Sequence, residues 1–181
     1  MNIKELASTV TQTTSMFHSV SSFATRVFGL LLVFHRDVLK MEEWSKKTGG
    51  YFTLAQDDGT PLLTFRIGAV IPEKTDKYFH LSLEKARRLG QNKSHGSSFK
   101  SRDGRKRWGG AVRGRGLNNI LSFSGLTEVG DMILTYFVAE KLGFRSPEEI
   151  KALAEGENFY GEYSRFKDFI SGFETTLDFL Q

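Results

Sequence analysis

Apolar side chains recur at helical spacing at both ends of the chain. Near the start the stripe is Met16, Val20, Phe23, Val27, Leu30 and Phe34, in steps of four and three. That spacing places the six on one helix face. Residues 1–15 are rich in Ser and Thr and show no such period. The unbroken apolar run Val27 to Phe34 adds groups off the stripe, so this part should be buried on more than one side. A second helical stretch is expected over 35–47, stopped by Gly49-Gly50. The other end carries Phe159, Tyr163, Phe166, Ile170, Phe173, Leu177 and Leu180 in the same alternation.

The middle of the chain reads differently. Tyr51–Leu54 and Leu62–Ile67 are short strands joined by Asp57-Asp58-Gly59-Thr60-Pro61, a turn in which Asp accepts local hydrogen bonds and Gly supplies positive φ. After Pro72 a helix capped by Thr75 or Asp76 runs to about Leu89, with Phe79, Leu83 and Ala86 inward. Residues 91–107 form a polar loop. Trp108–Gly114 and Asn118–Ser124 are two more strands. Thr127 caps a helix that Gly143 ends, and Ser146-Pro147-Glu148-Glu149 is a capping box with proline at the first helical position. The order α, hairpin, α, loop, hairpin, α, α, α predicts an α+β fold with one antiparallel sheet flanked by helices. Residues 1–143 form the ligand-binding-type domain. Residues 144–181 form a helical extension that lies on that domain or on a partner subunit.

Charge sharpens this picture. The chain has 25 basic and 21 acidic residues, but 93–115 alone holds eight basic residues and one acidic one, while 116–181 holds five against eleven. An electrostatic partner therefore meets a local patch. His95, Lys100, Arg102, Arg105, Lys106, Arg107, Arg113 and Arg115 are the candidate anion-binding residues of that patch. Glycines among them let backbone amides approach an anion, and Arg offers a donor fork. A solvated loop is the plainer reading. Nucleic-acid binding is the weakest, because Phe99 and Trp108 are a thin stacking platform.

Without cysteine, disulfides, zinc–thiolate sites and cysteine nucleophiles are excluded. No HExxH, phosphate-loop or GxSxG motif occurs. His80, between Asp76 and Glu84, reads as a surface histidine paired with those carboxylates, or as a cofactor ligand. No apolar run approaches the ~20 residues of a membrane span. No leader is read, and the cytoplasm is the default location.

Four pieces resemble the GlcG/HbpS-type family, the heme-degrading-domain-like proteins related to the C-terminal part of PduO-type proteins. They are Asp57-Asp58-Gly59-Thr60-Pro61-Leu62-Leu63-Thr64-Phe65-Arg66; the helix Thr75–Leu89 with Glu84-Lys85-Ala86-Arg87; Gly109-Gly110-Ala111-Val112; and Ile120–Gly125 followed by Thr127-Glu128-Val129-Gly130-Asp131. Val112 stands where the family has proline, and Gly130 where it has glutamine. The resemblance covers about 40–143. It implies a profilin-like sheet, frequent oligomerisation, and heme- or corrinoid-related members. It carries no family ligand residue onto this chain.

The reading is thus a non-enzymatic small-ligand-binding or sensory module. Its ligand is anionic, with heme as the candidate cofactor, and Phe79, Phe123 and Phe137 line an apolar cavity. The alternative is a homo-oligomer assembled through the terminal helices.

Overall fold

A computed structural model of the chain describes residues 3–103, 105–115 and 119–174, with side chains from 14 to 172. Four strands make one antiparallel sheet: β1 (Gly49–Gln56), β2 (Pro61–Gly68), β3 (Ala111–Arg113) and β4 (Asn119–Ser124), in the order β2-β1-β4-β3. The two hairpins therefore share a layer, joined where Tyr51 pairs with Ser124 and Gln56 with Asn119. The helices are α1 (Ile3–Val33), α2 (Pro72–Gln91), α3 (Glu128–Lys141), α4 (Pro147–Gly156) and α5 (Tyr160–Glu174). The protein is α+β, an antiparallel sheet flanked by helices.

Strand alternation divides the sheet into unlike faces. Phe52, Leu54, Val112, Leu121 and Phe123 join the main core with residues of α1, α3 and α5. The opposite face presents Ala55, Ala111 and Ile120 to Ala86 and Leu89 of α2. There Thr53 Oγ1 lies 3.0 Å from Ser82 Oγ, and Ser122 Oγ donates to Ser82 O at 2.6 Å. Small side chains on both partners let α2 lie close. A methyl group at Gly90 would come within 2.1 Å of Asp58 O.

The terminal stripes meet inside the chain. Val20, Val27 and Phe34 of the first, and Phe159, Tyr163, Phe166 and Ile170 of the second, are buried. Phenylalanine rings join the layers: Phe34–Phe166 at 5.6 Å, Phe137–Phe166 at 5.3 Å and Phe23–Phe137 at 6.2 Å between centroids. The Phe173 side chain, Leu177 and Leu180 lie outside the described part, as do Leu117 and Asn118. Thr14–Val38 is the one stretch among the described residues long and apolar enough to cross a membrane, and a third of its apolar window is buried here.

Several local expectations are corrected. The first helix starts upstream of Met16, at Ile3. Extending an existing helix costs little compared with nucleating one, and Thr25 satisfies its hydroxyl on Ser21 O at 2.8 Å. Residues 35–47 are not one helix. A single wide turn, Phe34–Val38, gives way at Lys40, whose φ is 56°, to a short 3-10 turn, Glu42–Lys46. This reversal stacks the Trp44 indole on the His35 ring, centroids 3.8 Å apart. Trp44 in turn lies on Gly130, where a methyl group would approach the indole to 2.5 Å. Helix α2 begins at Pro72 with Ile71 as its cap residue, ahead of Thr75 and Asp76. Its buried face is Ser82, Lys85, Ala86, Arg88 and Leu89, while Phe79 rests half-buried on Tyr51. Phe123 and Phe137 fill the main core instead of lining a cavity. The caps at Thr127 and Ser146 stand where expected, the latter as a reciprocal box with Glu149.

Phe166→Ala should cost about 3–5 kcal/mol, because α3, α5 and the wide turn after α1 lose a shared ring. Urea denaturation checks this; a loss under about 1 kcal/mol would show that α5 is not part of the core.

Candidate functional site

Strand β3 is short, and its neighbour β4 runs past it. Phe123 donates its N–H to Gly110 O at 2.8 Å. Gly110 has φ of 117°, and its own N–H turns away from the strand, toward Met132 Sδ. The Phe123 carbonyl is thereby left for another donor. Lys85 supplies it. From α2 its Nζ passes the end of β3, donates to Phe123 O at 2.8 Å, and reaches Asp131 Oδ2 on α3 at 2.6 Å. Asp131 Oδ1 accepts the Leu126 N–H at 2.9 Å. The Lys85 and Asp131 side chains are 1% and 5% exposed. A methyl group at Gly110 would stand 2.8 Å from Lys85 Nζ and from Asp131 Cβ, so glycine is required there. Burial pushes the Asp131 carboxyl above its ordinary value, opposed by the Lys85 ammonium and the Leu126 N–H.

This pair lies at the floor of a cleft of about 280 Å³ between α2 and the start of α3. Lys47, Lys77, Tyr78, Trp108 and Glu128 stand around it. An ammonium has three hydrogens. Lys85 commits two of them, and the third has no partner among the described residues. Lys47 and Lys77 make no ion pair among the described residues either. The cleft therefore offers three ammonium groups against Asp131 and Glu128, and both acids are engaged: Glu128 accepts the Gly109 N–H at 2.6 Å and faces Arg102 at 3.3 Å.

Buried Arg88 fixes the wall. It bonds Glu84 at 2.7 Å, Ser98 O at 2.7 Å, Ser101 Oγ at 3.0 Å and Trp108 O at 2.6 Å. The basic loop is thus pinned at both ends. Inside it, Asp103 Oδ1 accepts the N–H groups of Arg105, Lys106 and Arg107, each at 2.9 Å. Those bonds hold the Asp103 carboxyl well below the usual carboxylate range.

The eight expected anion-binding residues do not converge. Lys100, Arg105, Lys106 and Arg107 are exposed and make no ion pair among the described residues. Arg102 lies over the Phe99 ring at 3.5 Å and pairs with Glu128. Arg115 pairs with Glu149 at 2.7 Å. Arg113 is a structural tie, buried against the Asp57 carboxylate and carbonyl, with Leu89 O also bound. His95 gives its carbonyl to Arg113, and its Nδ1 is buried without a partner. His80 borders an open depression on the outer face of α2, and the expected Glu84 partner pairs with Arg88 instead. Neither histidine faces the cleft. Among the described residues no cluster of His, Asp and Glu is placed to hold a metal.

Among its described residues the cleft has no histidine or methionine to ligate heme iron; Tyr78 is its one side chain of another type known in that role, and the charged floor is unsuited to a porphyrin face.

A second buried polar cluster ties the C-terminal helices to the loop. Glu157 accepts from the Ser97 hydroxyl and from Tyr136 OH, the latter at 2.6 Å. Burial pushes the Glu157 carboxyl up, and the two hydroxyls oppose this.

Searches for a matching protein-family model, a matching curated protein and a matching solved structure each return nothing. Lys85, Gly110 and Asp131, from three separate stretches of the sequence, meet at the ion pair just described.

Lys85→Met should cost about 3–5 kcal/mol by stranding the Asp131 charge, and adding Asp131→Asn should recover part of that loss. Denaturation midpoints of the two variants measure it; a strictly additive double variant would deny the coupling.

Wild type should gain stability relative to Glu157→Gln on acidification. A raised carboxyl favours folding most fully below its unfolded value near 4.5, and that contribution is lost as pH rises through the higher folded value. Urea midpoints at about pH 4 and about pH 7.5 give the comparison; a difference that grows with pH contradicts the assignment.

Proposed function

We propose that this chain is a binding module for a small anionic ligand, seated in the cleft above Lys85. One observation carries the reading: an ammonium group buried at the cleft floor uses two of its three hydrogens among the described residues. A polar group held in a dry environment is costly unless its bonds are completed. An incoming anion completes this one, while Lys47 and Lys77 raise its local concentration at the mouth. Trp108, 39% exposed, offers an apolar wall for the body of the ligand. The cleft volume is near the lower end of the range for small-molecule sites.

The role proposed is binding: Lys85 and Asp131 are committed to each other, and Glu128 to the Gly109 N–H and Arg102. A cytoplasmic location belongs to the same proposal, as the default for the sequence; in the fold α1 turns Val20, Ala24 and Val27 into the core. Self-assembly through the terminal stripes is less well supported, since their described parts are spent within the chain.

Titration calorimetry with inorganic phosphate and with malonate tests the site. Wild type should bind one of them, and Lys47→Ala/Lys77→Ala, which alters only rim positions, should weaken it about ten-fold. Unchanged affinity in that variant, or no binding of either anion at low salt, would contradict the reading.

A further inference from the structure

The cleft continues into basic surface on both sides. Along one rim, Lys47 and Tyr78 also border a shallow groove lined by Lys46 and Lys74. None of Lys46, Lys47, Lys74 and Lys77 pairs with an acid among the described residues. Along the other rim the chain passes from Trp108, in the cleft wall, directly into Arg107, Lys106 and Arg105. Their backbone amides are gathered on Asp103, so the loop is shaped while its cationic side chains face solvent. Two sets of cations unpaired among the described residues thus border a cleft whose floor is the Lys85–Asp131 ion pair and whose wall carries one exposed indole.

We propose that the extended anion matching this surface is single-stranded nucleic acid. One nucleotide sits in the cleft with its base against Trp108, and the strand's phosphates on either side meet the lysine rim and the arginine loop. The inference rests on the cleft being an anion site and extends it. Base–aromatic stacking between electrostatic rims is how strands are held without sequence reading. An acidic protein would satisfy the cations but has no need of the indole. Duplex fits less well, because paired bases keep their faces stacked inside and cannot reach a ring in a cleft wall.

Anisotropy with a fluorescein-labelled twelve-nucleotide uridine strand decides the matter, with calorimetry of inorganic phosphate run in parallel. Wild type should bind at low salt, with log affinity falling against log salt at a slope of about −3, as expected for roughly four phosphates. Arg105→Ser/Lys106→Ser/Arg107→Ser should flatten that slope by about 2. Trp108→Ala should lose about ten-fold in affinity with the slope unchanged. Trp44 is buried, so quenching of tryptophan emission by the strand reports on Trp108. Circular dichroism verifies that both variants fold, since all four positions are exposed. Equal competition by polyglutamate together with an unaltered Trp108→Ala affinity would overturn the proposal in favour of an acidic protein partner. Absence of strand binding alongside phosphate binding would overturn it while leaving the anion site standing. Failure of both would remove the site as well.

Discussion

Lys85 leaves one face of the sheet, passes the shortened end of β3 and meets Asp131 on the opposite helical layer. Two charges at this depth are tolerated only when their bonds are nearly complete. That condition explains much of the surrounding sequence. Gly110 must lack a side chain and turn its amide aside, so that Phe123 can give its carbonyl to the ammonium. Leu126 must bring its N–H to the carboxylate, which sets how the chain leaves β4 and enters α3. The pair joins the α2 layer to the α3 layer around the sheet edge. It also leaves one ammonium hydrogen without a partner among the described residues, at the cleft where we propose the anion binds.

Much of the architecture was legible in the order of residues. Glycines, the capping box at Ser146 and the alternation within 50–67 and 119–124 have local physical meaning, and β1, β2, β4 and the caps at Thr127 and Ser146 stand close to where they point. Strand β3, by contrast, is shorter than Trp108–Gly114, and α2 is capped at Ile71. The terminal stripes are helical, but their period does not say what covers them. That is decided by Phe34, Phe137 and Phe166, three rings far apart in sequence that share one core. The turn at 35–47 was not readable, because it exists to stack Trp44 on His35 and on Gly130, and no local pattern encodes that contact.

The site was harder to see than the fold. Lys85 lies on a helix whose apolar residues suggest a different inner face, and a lone lysine among charged neighbours reads as solvated. Its importance follows from burial, which spacing cannot supply. The density of cations in 93–115 was plain, yet it mixed two roles. Arg113 ties the hairpin turn to the end of α2, whereas Lys100 and Arg105 to Arg107 make no ion pair among the described residues. Lys85, Gly110 and Asp131 stand in three separate stretches of the sequence, and the fold alone brings them together.

Amine-reactive pulse labelling, read residue by residue by mass spectrometry, tests the buried pair most directly. In the native protein Lys47 and Lys77 should be modified quickly, while Lys85, 1% exposed and bonded to Asp131, should be modified far more slowly, accelerating when denaturant is added. Modification of Lys85 as fast as Lys77 under native conditions would contradict the account, because an ammonium that open to reagent could not hold the two layers together.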